Sequence, residues 1–166
     1  MFTSVTACFT GHRPNKLGGY NPNPIQTQIR KRLTEMIRDT YGMGIRNFIT
    51  GMALGVDQWA CEILIDLRKR PEYKDIKIIA AIPFKGQEGA WFKQSVEHYN
   101  ELLKQVDRVE YTSPPGYAAW KMQTRNKWMV DHSKIVIAVW DGTSSGTANC
   151  VKYAQIKKKQ IYRINP

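Results

Sequence analysis

A chain of 166 residues with 42% hydrophobic content is long enough for one well-buried domain and too short for two ordinary ones. No apolar run approaches the length of a membrane span, Met1-Phe2-Thr3-Ser4 opens without a signal-type core, and Cys8, Cys61 and Cys150 are few, scattered and set in apolar patterns. A membrane anchor, a disulfide framework and a metal knuckle are therefore not expected, nor is a bound metal or cofactor; the expectation is a soluble, cytoplasmic protein with reduced, buried thiols. The formal charge of +11 favours anionic partners, namely nucleotides, nucleic acid or acidic proteins. It does not choose among them, because the basic runs Arg30-Lys31-Arg32, Arg68-Lys69-Arg70 and Lys157-Lys158-Lys159 read as solvated helix faces or helix ends.

Taken in order, Val5 to Thr10 is a short apolar run that predicts a strand, ending in Gly11-His12-Arg13-Pro14. Gly11 permits close backbone approach, Arg13 offers a planar fork for phosphate or carboxylate, and His12 can donate or accept near neutral pH. Ile25, Ile29, Leu33, Met36 and Ile37 recur at helical spacing. Ile45 to Thr50 predicts a second strand, followed by the loop Gly51-Met52-Ala53-Leu54-Gly55-Val56-Asp57 and a helical pattern through Trp59, Ile63, Leu64 and Leu67. Asp57 is placed either to cap that helix or to contact a ribose hydroxyl or a polarised water. Ile76 to Ile82 is the third strand, a helix follows from about Ala90 to Lys104, and Arg108 to Tyr111 gives a short fourth strand. After the Pro114-Pro115-Gly116 loop, a helix from about Ala118 to Ser133 carries Arg125 and Trp128 on one face, an arrangement suited to core packing or to holding a base beside a phosphate.

Ile135 to Trp140 is a continuous β-branched apolar run of the kind buried on both faces of a parallel sheet, and it stops at Asp141-Gly142. Small and hydroxylated residues follow, Thr143-Ser144-Ser145-Gly146-Thr147, and a helical pattern begins at Ala148. Backbone N–H groups at such a helix start lack intrahelical acceptors and lie at the positive end of the helix dipole, so an anion such as phosphate is their natural ligand. The loop matches neither the dinucleotide fingerprint nor the P-loop, and an ordinary capped turn is its alternative reading. A last strand lies near Gln160 to Ile164.

Strands alternating with helices predict a single α/β, Rossmann-like domain spanning residues 1–166: an open, mostly parallel sheet with helices on both faces. The loops at Gly11 to Pro14, Gly51 to Asp57, Pro83 to Gly89 and Gly142 to Thr147 all follow strands and precede helices, so they fall on the one edge where such sheets bind ligands.

The segments FTGHRP, ITGMALGVDQWACE and RNKWMVDHSKIVIAVWDGTSSGTANCVKYA resemble the YpsA-like branch of the SLOG superfamily, which joins the LOG phosphoribohydrolases to the Smf/DprA DNA-processing proteins. The resemblance covers nearly the whole chain. It implies glycine loops that bind a nucleotide or nucleotide-derived, ADP-ribose-like ligand, with Gly11, His12, Arg13, Gly51, Met52, Gly55, Asp57, Arg125, Asp141, Gly142, Thr143, Ser145, Gly146 and Thr147 as ligand-binding positions. A homo-oligomer is expected. LOG enzymes use an arginine matched here by Arg125 and a glutamate in the pattern PGGxGTxxE; Cys150 stands at the glutamate position, and the loop begins Asp141-Gly142. Nucleotide hydrolysis would then need another acid, with Asp57, Glu62, Glu88 or Asp141 as candidates. A sensor or sequestering protein is the first expectation, a nucleoside monophosphate phosphoribohydrolase using Arg125 and Asp57 the second, and DprA-like DNA binding the third.

Overall fold

The computed structural model describes residues 1–166. Six strands, β1 (Thr6–Gly11), β2 (Asn47–Thr50), β3 (Lys77–Ile82), β4 (Arg108–Tyr111), β5 (Ile135–Val139) and β6 (Gln160–Ile164), form one sheet in the order β4-β3-β2-β1-β5-β6. Every neighbouring pair is parallel. Between them run α1 (Pro24–Gly42), α2 (Val56–Arg68), α3 (Lys93–Leu103), α4 (Trp120–Asp131) and α5 (Gly146–Ile156). From β1 the chain steps outward through β2 and β3 to β4, then returns to lay β5 and β6 on the other side of β1. Right-handed crossovers with this reversal place α1, α2 and α3 on one face and α4 and α5 on the other.

Side chains alternate across a strand, and here the alternation sorts the core into two layers. Ala7, Phe9, Phe48, Ile78, Ile82, Ile135 and Ile137 point toward α1, α2 and α3, where they meet Ile29, Leu33, Leu64, Tyr99 and Leu102. Cys8, Ile49, Ile79 and Val136 point the other way, into a smaller layer closed by Met129, Val130, Cys150 and Ala154 of α4 and α5. A strand buried on both faces has no solvent-facing side, which is why β5 reads as an unbroken apolar run and why β1 and β3 show no polar alternation.

Several boundaries differ from the sequence reading, each for a local reason. β2 begins at Asn47 rather than Ile45, because Asn47 is the first residue registered against β1. α1 starts at Pro24, where the proline occupies the first turn and the Asn23 Oδ1 accepts the Gln26 N–H at 3.0 Å. α3 starts at Lys93 instead of about Ala90; a 3₁₀ turn, Gln87–Ala90, fills the gap, led in by Gly86 in the left-handed region.

Candidate functional site

The crevice where the chain reverses strand order, between β1 and β5, is where an open parallel sheet leaves room at its carboxyl edge. A cavity of about 270 Å³ lies there, walled by the end of β1 and the turn after it, by Ala53 and Asp57, by α4, and by the first residues of α5.

Arg125 of α4 reaches across the edge of the sheet and is 5% exposed. Its Nε donates to Asn126 Oδ1 at 2.9 Å, and its Nη1 donates to the carbonyls of Gly51 at 2.7 Å and Ala81 at 3.4 Å. Nη2 has no partner within the chain. Since no side-chain polar atom cut off from solvent is left unbonded, that nitrogen opens on the cavity. Burial lowers the Arg125 pKa, opposed chiefly by the Asp57 carboxylate.

Asp57 sits in the first turn of α2, where its Oδ2 accepts the Ala53 N–H at 3.3 Å and its carbonyl accepts the Thr50 hydroxyl at 2.7 Å. Burial raises its pKa, against the pull of Arg125, the Ala53 amide and Arg13. Gly51 is what lets these two buried charges lie together at the end of β2: a Cβ there would strike the Arg125 guanidinium and come within 2.8 Å of Asp57 Oδ2. With Arg13 and Lys16 also lining it, the cavity gathers three cationic side chains against one carboxylate.

The fourth wall is the start of α5. Ser145 caps the helix, its Oγ accepting the Ala148 N–H at 3.2 Å while its carbonyl accepts from Asn149. The N–H groups of Gly146 and Thr147 have no acceptor in the chain and lie at the positive end of the helix. A Cβ at Gly146 would meet nothing within 4 Å, so the glycine marks open space.

The loop leading to α5 is braced from β1. His12 is 3% exposed, and its Nε2 lies 3.0 Å from Asp141 Oδ1. The same oxygen accepts the Thr143 N–H at 2.9 Å and the Thr143 hydroxyl at 2.5 Å. These Thr143 bonds, with His12 as a smaller contribution, hold the Asp141 carboxyl well below the usual carboxylate range.

Of the positions marked in the sequence, Gly11, His12, Arg13, Asp57, Arg125, Ser145, Gly146 and Thr147 line the cavity. Gly51, Met52, Gly55, Asp141, Gly142 and Thr143 do not. Met52 is fully buried in the larger core layer with φ 59°, and its carbonyl accepts the Gln58 amide at 3.1 Å. Trp128, placed on the Arg125 face by spacing, stacks on His132 with ring centres 4.1 Å apart and stays outside the cavity. Glu62 and Glu88 are also outside it, as is Cys150, whose fully buried thiol is pushed up to about 11. Sequence reasoning missed Asn15, Lys16 and Asn126. The first two stand at and just before the end of a 3₁₀ turn with no periodic signal, and Asn126 showed none beyond adjacency to Arg125.

Known proteins share this architecture. The family model described as the YspA SLOG family matches residues 7–165. The chain is 34% identical over 158 residues to the uncharacterized SPbeta prophage-derived protein YoqJ of Bacillus subtilis, covering 87% of this chain and 91% of that one. It is 29% identical over 158 residues to a UPF0398 protein of Bacillus thuringiensis, covering 92% and 83%. Among solved structures, the fold is similar to DNA processing protein A from Helicobacter pylori (TM-score 0.66, 18% identity), described for its single-stranded DNA binding mode, and to DprA from Streptococcus pneumoniae (TM-score 0.66, 14% identity). The match takes in 99% and 97% of this chain but only 66% and 50% of those two.

Proposed function

Since the chain belongs to the YspA SLOG family, we propose that the cavity between β1, α4 and α5 binds a phosphorylated ribose ligand, a nucleotide or nucleotide derivative, and that the protein senses or sequesters it. One observation carries this reading: the unpartnered N–H groups of Gly146 and Thr147 and the unpartnered Nη2 of Arg125 converge on one cavity, beside the cations Arg13 and Lys16. Charge-assisted hydrogen bonds of this kind are worth about 1.5–3 kcal/mol each, and a helix N-terminus adds up to ~2 kcal/mol for an anion in a partly buried site. The Asp57 carboxyl, which retains one oxygen free of protein partners, is suited to accept a ribose hydroxyl. Cys150 is fully buried and away from the cavity, where the phosphoribohydrolase pattern has its glutamate, so binding without turnover is the reading adopted.

Calorimetry with ribose 5-phosphate, nucleoside monophosphates and ADP-ribose tests it. At least one is expected to bind more tightly than millimolar, and Gly146→Val, whose side chain enters open space at the helix start, is expected to abolish that binding while leaving the melting temperature near that of the parent. Full affinity in Gly146→Val, or no binding below the millimolar range, overturns the reading.

A second reading, single-stranded DNA binding, is favoured by the binding mode described for the Helicobacter pylori neighbour and by the charge of +11. It predicts affinity for oligonucleotides that falls steeply with salt as counterions are released. A mobility-shift titration without binding at low salt removes it.

A further inference from the structure

A second cavity, of about 490 Å³, lies on the other face of the sheet, between the segment before α1, the start of α2 and the start of α3. Its chemistry differs from that of the first. The charged groups on its wall are already paired: Glu62 takes Arg30 at 2.5 Å and His98 at 2.6 Å, and the Arg30 guanidinium lies 5.5 Å from the Trp59 ring centre. What remains free is uncharged. Gln26 is only 9% exposed, yet its carboxamide makes no hydrogen bond within the chain. Gln58 is 4% exposed and donates Nε2 to the Met52 carbonyl, leaving Oε1 without a donor. No side-chain polar atom cut off from solvent lacks a partner, so these free amide atoms open on the cavity both residues line. Around them stand three aromatic side chains: Trp59, 5% exposed, and, more open to solvent, Phe92 and Tyr20, 80% and 60% exposed.

A carboxamide presents a donor and an acceptor side by side in one plane, the complement of the N–H/C=O or N/NH₂ edge of a heterocyclic base. Aromatic side chains supply faces for such a ring, and stacking on them tolerates any base because every base has a π-face. The free amide atoms of these two nearly buried residues face solvent through the cavity, and a ligand edge that pairs them exchanges those water contacts for directed hydrogen bonds. We propose that this cavity is a second ligand site, distinct from the anion site, that binds a nucleobase as free base or nucleoside, with Gln26 and Gln58 reading its hydrogen-bonding edge, the exposed rings of Phe92 and Tyr20 offering the stacking surface and Trp59 lining the floor.

The proposal does not depend on phosphate binding in the first cavity, and phosphate-free probes keep the two separable. Titrating the protein with adenosine, guanosine, cytidine and uridine, followed by tryptophan fluorescence and saturation-transfer NMR, is expected to show saturable binding of at least one nucleoside. The fluorescence response should vanish in Trp59→Phe. Gln26→Leu should weaken binding at least tenfold, and Gln26→Glu, which keeps the shape but replaces the amide donor with an acceptor, should change the rank order among the four. Phe92→Ala, at an exposed rim position, gives a further loss of affinity without a folding penalty, and Gly146→Val in the other cavity should leave nucleoside binding unchanged. Absence of saturation by all four nucleosides overturns the proposal. So does binding unaffected by both Gln26→Glu and Phe92→Ala, or a concentration-dependent dimer in sedimentation that Phe92→Ala dissolves, since a second copy would then occupy the cavity.

Discussion

Asp141 shows how one side chain can brace a cavity that it does not line. Its Oδ1 gathers the Thr143 amide and hydroxyl and the His12 ring, fixing the loop that delivers α5. These partners depress the carboxyl pKa in the folded protein below its ordinary value near 3.8. A depressed folded-state value means that the stabilisation is fully present above the unfolded value and is lost as pH falls through it toward the folded one. Asp141→Asn retains an amide oxygen able to accept from Thr143 and removes only the charge. The melting-temperature gap between parent and variant should therefore be constant from neutral pH down to about pH 5 and shrink below about pH 4. An equal gap at neutral and acid pH would show that the carboxylate charge plays no part in holding the loop.

At the scale of elements, the β2–α2 connection decides whether Asp57 and Arg125 can share the edge of the sheet. Gly55 enters α2 at φ 96°, and its missing Cβ leaves the His12 carbonyl room at what would be a 2.8 Å approach. Gly51 is needed for another reason, because the guanidinium of Arg125, held by Gly51, Ala81 and Asn126, passes through the space a Cβ would fill. Gly51→Ala should cost roughly 1–3 kcal/mol of unfolding free energy by displacing a side chain that has no slack. Chemical denaturation measures it, and a variant as stable as the parent would mean that Arg125 moves freely. Gly146 is the contrast, a glycine whose neighbourhood is empty, so its substitution should leave the fold intact and tests the proposed ligand site.

Across the whole molecule, stability follows depth in the sheet. β1, one of the two central strands, and β5 beside it are interior strands with residues buried on both faces, whereas β4 is an edge strand whose Val109 and Tyr111 are 37% and 47% exposed. Local opening should be cheapest where few apolar contacts and one neighbour hold a strand. Native-state hydrogen exchange is expected to find the amides of β1 and β5 exchanging only through global unfolding, and those of β4 through a smaller opening. Equal protection in β4 and β5 would show that the sheet opens as one unit. Because the first cavity lies at the end of β1 and the entry of α2, away from β4, ligand binding there should leave β4 exchange nearly unchanged.

The sequence by itself determined the order and type of the main elements, the parallel sheet covered on both faces, and the edge where the glycine loops gather. Each follows from local periodicity: unbroken apolar strands such as Ile135 to Val139 require cover on both sides, and strand-loop-helix repeats force the loops to one end. Arg125 was legible through the family resemblance, and Ser145 and Gly146 through composition, since a helix cap and a residue without a side chain announce themselves. Only the tertiary structure decided which of the marked residues line the cavity. Met52 and Trp128 have the right neighbours in sequence, but φ 59° and burial in one case, and stacking on His132 in the other, direct them elsewhere. Asn15 and Lys16 line the first cavity because a 3₁₀ turn follows β1 there, and Gln26 and Gln58 line the second because α1 and α2 pack side by side on the same face. Periodicity encodes which face of an element is buried; it carries no record of which two elements will supply the opposite walls of one cavity.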